Sequence, residues 1–288
     1  IMVYSKLNYK ILELKTLAAI KTLHDVVVNE QSKGVSKLIE TRDHLIKNNS
    51  HNPHLKNSLE LLFRGVTHKN FNEKFKINKN KLYKHLIKSK TSISNIGEKK
   101  IRSGSVVFVP YLTYEIELIL NQCIKTGKKF VINTIKHFPF ESDEKIRTKY
   151  GEKIKINVFY DLAQKEAIRT SDVCLIGADI ISNEAVPSVR TGGEVINLIA
   201  REYSVPLYVC INSFKYHNNE TINKLHSIKH EFKTKSEKNI SDFVQTYKYE
   251  PLSKKNIKGI ISDIGIFSPE QFIREAENHH EYLIKIFS

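Results

Sequence analysis

One stretch, Ser171 to Tyr216, restricts the folds open to this chain more than any other: SDVCLIGADIISNEAVPSVRTGGEVINLIAREYSVPLYVCINSFKY. Asp172 to Ile176 is a short apolar run closed by Gly177, as expected of a parallel strand covered on both faces. Leu207 to Ile211 is a second such run, introduced by Pro206. Between them, Glu194 to Tyr203 sets Val195, Ile196, Leu198 and Ile199 against Glu194, Asn197 and Arg201, the spacing of an amphipathic helix. Gly192 and Gly193 open that helix just after Arg190. Strand, loop, helix and strand in this order make half of a doubly wound α/β sheet. Ligands in such sheets sit beyond the carboxyl ends of the strands, against helix N-termini. The loop from Gly177 to Gly193 is therefore where a ligand or a reaction belongs.

The rest of the chain divides at a change of period. From Tyr4 to about Ile101 the pattern is helical. Leu12 to Val28 carries Leu14, Leu17, Ala18, Leu23 and Val26 as its apolar stripe, leaving Lys15, Lys21, Thr22 and Asp25 outward. Val35 to Ile46 follows, then the turn-forming KNNSHNP, then Leu55 to Arg64, stopped by Gly65. Leu82 to Ile96 and Glu98 to Ile101 are two more helices, ended by Ser103–Gly104. At Ser105 strands begin: SVVFV closed by Pro110, KKFVIN, IKINVFY and, late in the chain, IKGIISDIG. Helices separate them at Glu115–Lys125, Ser142–Tyr150 and Leu162–Arg169, the last capped by Asp161, and Pro269–Ile286 is a terminal helix. The polar run HNNETINKLHSIKHEFKTKSEKN has no period and reads as a surface loop. These patterns imply a helical N-terminal domain at 1–103, and at 104–288 a Rossmann-like α/β domain with an open parallel sheet.

Composition narrows the partners. A net charge of +15 invites a nucleic-acid reading, but the lysines are spread along the chain without an RNA-binding signature. Abundant Lys, Asn and Ile beside 11 Gly, 7 Pro and no Trp match a low-GC coding bias, so the charge reads as a basic protein-facing surface, with no direct nucleic-acid contact. No apolar run approaches the roughly 20 residues of a membrane span, and no signal-peptide pattern is seen; Ile1 in place of Met suits a trimmed or renumbered start. Cys174 and Cys210 fall inside buried strands and Cys123 on a helix, with no CxxC pair, which implies neither zinc nor disulfides and a reducing compartment. His279–His280 reads as a solvated piece of the last helix with no third metal ligand in view, and Lys99–Lys100–Arg102 as an exposed junction. No metal or cofactor is expected.

Several motifs, in order, carry a resemblance. GAD at Gly177 to Asp179, TGGE before the helix, VPLYV at Val205 to Val209 and SFKY at Ser213 to Tyr216 follow YDLAQKEAIRTSD and precede ISDIGIFSP. LAAIKTLHDVV and LELLFRG lie in the helical part. Together they resemble the regulatory subunits of initiation factor 2B, most closely the alpha type, and the sugar-phosphate isomerases built on the same fold. The resemblance implies a non-catalytic, cytoplasmic subunit of the guanine-nucleotide exchange complex for initiation factor 2. Such a subunit pairs with itself as a homodimer, joins the other subunits, and senses phosphorylated initiation factor 2 during the stress response; Lys21 and Thr22 fall on the helix that meets it. The alternative is an aldose–ketose isomerase of the ribose-1,5-bisphosphate type. Those enzymes use a Cys after the first strand and the Asp of the Gly-Ala-Asp loop as an acid/base pair. Asp179 is present here, but Tyr111 stands at the Cys position, and a phenol with a reference pKa of about 10 replaces a thiol of about 8.5 poorly. A pocket that binds a sugar phosphate or nucleoside monophosphate would use Arg190, Gly192 and Gly193 at the helix N-terminus, Lys215 on the neighbouring strand, and Asp179. The competing reading is a tight turn at Gly192–Gly193, a solvated Arg190, and an Asp179 that bonds only loop amides.

Overall fold

The computed structural model describes residues 11–29, 34–49, 52–136, 142–217, 229–235, 241–247 and 249–288. Four helices come first: α1 (Ile11–Asn29), α2 (Gly34–Asn48), α3 (Pro53–Leu62) and α4 (Phe71–Glu98). Asn52 caps α3 by accepting the Leu55 N–H at 3.1 Å, with Pro53 in the first turn, and Gly65 ends the segment at φ +67. The stripe that α1 buries is turned from the expected one. Thr16, Ala19, Ile20 and Leu23 are inside, whereas Leu17 is half-buried and Ala18 exposed. Thr16 is tolerated there because its Oγ1 meets His54 Nδ1 at 3.0 Å, which removes the cost of a buried hydroxyl. The side chains of Leu14, Lys15 and Val26 lie outside the described ones.

A single helix, α4, replaces the two expected between 82 and 101. Its first half supplies Phe75, Leu82 and Leu86 to the core shared with α1 and α3, and its last turns place Ile93 in the core beneath the sheet. The sheet comprises β1 (Val106–Phe108), β2 (Val131–Lys136), β3 (Lys155–Tyr160), β4 (Val173–Ser182), β5 (Pro187–Arg190), β6 (Leu207–Cys210), β7 (Tyr216–His217), β10 (Tyr249–Pro251), β11 (Ile257–Ser262) and β12 (Gly265–Phe267). Its order is β12-β11-β6-β4-β1-β2-β3, parallel except for the β11–β12 hairpin. On one face, α5 (Tyr114–Lys125) and α6 (Ser142–Tyr150) pack with the end of α4. On the other lie α7 (Gln164–Arg169), α8 (Gly193–Glu202) and α9 (Pro269–Phe287). Helices on both faces of a parallel sheet make the doubly wound arrangement implied by the sequence. A full capping box, Ser268 with Gln271, starts α9.

Three expectations change. Gly177 does not end β4: the strand runs on to Ser182 with Ile180 and Ile181 buried, turns through Ala185 (φ 62), and returns as the antiparallel β5. Gly177 marks a close approach instead, because a Cβ there would run into the Thr113 side chain. The polar run after Tyr216 is not loop throughout. β8 (Lys229–Lys235) and β9 (Ser241–Tyr247) pair antiparallel in a register that sets Phe232 opposite Val244, a pairing between two segments that the period of neither reveals; residues 218–228 and 236–240 lie outside the described ones. Finally, α7 begins at Gln164, and Asp161 accepts the Leu162 N–H at 2.8 Å in the preceding 3₁₀ turn (Asp161–Ala163), so it does not cap the helix.

The docking of α4 on α5 gives a sign test. A helix-interior Gly→Ala change ordinarily stabilises by about 1 kcal/mol, but a Cβ on Gly97 would penetrate the fully buried Ile119. Gly97→Ala should therefore destabilise by about 1–3 kcal/mol, read from urea unfolding midpoints at constant slope; a stabilised variant would mean that the two helices are not in this contact.

Candidate functional site

The carboxyl ends of β1 and β4 meet the β4–β5 hairpin and the N-terminus of α8, and five side chains converge there. Tyr111, just after β1, is buried. Its hydroxyl donates to the Gly177 carbonyl at 3.0 Å and accepts the Arg190 N–H at 3.4 Å. The Arg190 guanidinium lies 4.9 Å from the centre of the Tyr111 ring, in cation–π range. Burial pushes the phenol well above its usual pKa, with the Arg190 charge the largest influence in the other direction. Tyr111 is a neutral strut between β1 and the hairpin.

Asp179, one residue beyond Ala178 on β4, accepts a hydrogen bond from the Tyr249 hydroxyl. Tyr249 sits on β10, opposite Arg190 in the antiparallel register with β5, and burial first, then the Asp179 charge, raises its pKa far above the usual phenol value. Its neighbour Glu250 accepts the Glu194 N–H at 2.8 Å, together with the N–H groups of Gly192 and Gly193. Gly192 makes this possible by adopting φ +97 at the head of α8. Burial holds the Glu250 carboxyl above its ordinary range, and the three backbone donors oppose that shift. The amides that the sequence offered to a phosphate are thus already bonded to a carboxylate of the same chain. A second carboxylate, Glu194, accepts the Ser253 N–H at 2.7 Å and fixes the segment after β10.

Beside this network opens a cavity of about 260 Å³, lined among others by Tyr111, Ile135, Leu162, Arg190, Gly192 and Ile196. Of the five candidate ligand residues, Arg190 and Gly192 line it. Gly193 is packed behind it, where a Cβ would strike Val189, and Asp179 is engaged by Tyr249. Lys215 is elsewhere: it is 4 % exposed and pairs with the buried Glu115 at 2.5 Å, so its charge holds the segment after β6 to the start of α5. Lys21 and Thr22 are exposed on α1, far along the chain from this network, and the Thr22 hydroxyl donates to the Ala18 carbonyl of its own helix at 3.0 Å.

No thiol supplies the acid/base partner of Asp179. The three cysteines are free and buried; burial pushes Cys123 up to about 12 and the other two further. Sequence reasoning missed Tyr249 and Glu250, because they follow a run without period; the alternation in YKYEP before an apolar Leu252 was the available signal. His279 also departs from its reading. It is half-buried with its ring 5.4 Å from that of His85, while His280 lies 3.5 Å from Glu60. Among the described residues no helix is long and apolar enough to cross a membrane.

Known proteins share this fold. The family model described as the initiation factor 2 subunit family matches residues 10–269. The chain is 22% identical over 201 residues to a putative translation initiation factor eIF-2B subunit 2-like protein of Pyrococcus furiosus, covering 69% of this chain and 71% of that one. It is 20% identical over 225 residues to ribose 1,5-bisphosphate isomerase of Methanocaldococcus jannaschii, covering 75% and 72%. The solved structure of the Pyrococcus horikoshii OT3 translation initiation factor eIF-2B superposes with a TM-score of 0.76 at 18% identity, covering 91% of this chain and 92% of that one.

An anion entering the cavity meets Arg190, and Glu250, bonded to the N–H of the cavity-lining Gly192, sets a like charge behind it. With ribose 5-phosphate as probe at fixed ionic strength, Arg190→Ala should reduce the ligand-dependent rise in melting temperature and Glu250→Gln should enlarge it. Equal shifts in all three proteins would place phosphate binding outside this cavity.

Proposed function

Because the chain belongs to the initiation factor 2 subunit family, we propose that it acts as a non-catalytic regulatory subunit, of the alpha type, in the guanine-nucleotide exchange complex for translation initiation factor 2. The observation that carries this reading is the state of the chemical residues. An isomerase of this fold needs a proton donor and acceptor facing its substrate, whereas Tyr111 is buried and bonded twice, Asp179 is held by Tyr249, and the α8 amides hold Glu250. Function on a shared fold is decided by such site residues.

The surface supports partners of two kinds. Val158, Tyr160 and Leu162 at the β3 edge, with Val195 and Leu198 on α8, are exposed apolar side chains, Leu162 at 97 %. Such a group favours a symmetric pairing of two copies through the sheet domain. Lys21 stands exposed on α1, and a phosphoserine with close to two negative charges prefers a cationic neighbour. In this reading the subunit dimerises, docks on the other subunits in the cytoplasm, and helps to distinguish phosphorylated initiation factor 2.

Reconstitution tests it. The subunit alone should have about twice the 33.3 kDa chain mass by light scattering, and Leu162→Glu should halve that. Lys21→Glu should stay dimeric yet weaken binding of the assembled complex to phosphorylated factor, with the unphosphorylated form unaffected. Equal loss for both forms would indicate a general charge effect, and a chain that fails to enter the complex would refute the assignment.

A further inference from the structure

At the end of β11, α4, α9 and the β11–β12 turn line a second cavity, of about 300 Å³. His85 of α4, His279 of α9 and Asp263 of the turn face one another in it, with one donor atom from each lying within 4.8 Å of the other two. We propose that these three residues form a binding site for a divalent transition-metal ion of the zinc type. Two imidazole nitrogens and one carboxylate oxygen are the donor set that zinc and cobalt accept, at metal–ligand distances of about 2.0–2.2 Å. That requires the donors to stand about 3–3.5 Å apart, an approach within the reach of small side-chain rotations.

The surroundings are those of a built site. The Asp263 oxygens are oriented by Ser213, accepting its N–H at 2.7 Å and its hydroxyl at 2.9 Å, as supporting hydrogen bonds orient metal-bound carboxylates. The His85 ring is stacked on Phe214 with centroids 4.9 Å apart, which fixes its plane. His279 Nε2 is buried without a hydrogen-bond partner, an arrangement that costs free energy unless something coordinates it. Lys81, Lys84 and Lys88 also line this cavity and oppose a cation, and Asp263 is the carboxylate that offsets them. Three protein ligands leave the remaining coordination positions facing the cavity, where Lys84 and Lys88 line the wall and water or a small anion completes the shell. A bound ion would clamp α4 to α9 and the end of the sheet, joining residues 194 positions apart along the chain.

The full chain, stripped with EDTA and dialysed against Co²⁺, tests this. The wild type should retain one Co²⁺ per chain, show a visible d–d band, and melt at a higher temperature with the metal than without. His85→Phe and His279→Phe, which keep ring packing, should each lower Co²⁺ affinity by about 10- to 100-fold or more while the metal-free melting temperature stays within a few degrees. His280→Gln should bind as the wild type does. Absence of bound Co²⁺ in the wild type at about 100 μM free metal, where a three-ligand site should be filled, would overturn the proposal. So would unchanged binding in both Phe variants.

Discussion

The N-terminus of a helix attracts negative charge, and in this protein the charge comes from within. Glu250 bonds the N–H groups of Gly192, Gly193 and Glu194 at the head of α8, an interaction of about 0.3–2 kcal/mol according to its burial. Its structural consequence exceeds that energy. For Glu250 to reach α8, β10 must lie along β5, and this register sets Tyr249 opposite Arg190. Tyr249 then meets Asp179, and Arg190 lies over Tyr111. One carboxylate at a helix end is thus tied to Tyr249, Asp179, Arg190 and Tyr111 in a single network.

The same economy of charge holds deeper in the fold. Glu115 and Lys215 are both buried and paired; removing either would leave the other uncompensated, at a cost of about 3–5 kcal/mol. The pair fixes the segment after β6 against α5, and Asn57 of α3 donates to the carbonyls of Phe214 and Tyr216 at 2.9 and 3.2 Å in that same segment. The helical layer and the sheet are therefore joined by polar contacts at the place where Asp263 also receives Ser213. The groups that could act on a substrate are largely occupied in holding the protein together.

What could be read from the sequence followed from periodicity. The buried parallel strands, α5, α6 and α8, and the terminal helix with its proline all announce themselves through apolar spacing and caps, and Ser142–Tyr150 appears with the bounds that its pattern gave. What could not be read depended on contacts between distant residues. Gly177 looked like a stop, but it is a contact with Thr113. Thr16 did not belong to the apolar stripe of the spacing, but His54 gives it a partner inside. Lys215 looked like a phosphate ligand until Glu115, 100 positions earlier, took its charge. Tyr249 and Glu250 lay behind a run of polar residues whose pairing is visible only across two strands, and His279 comes together with His85 and Asp263 only in space.

A pocket at the end of β4 that still performed chemistry would make the protein an enzyme. Ribose 1,5-bisphosphate incubated with the purified protein and followed by NMR is the direct measurement. Asp179 engaged by Tyr249, a buried phenol at 111 and Glu250 on the α8 amides lead to an unchanged spectrum over hours at micromolar protein; appearance of ribulose 1,5-bisphosphate above the protein-free rate would contradict it.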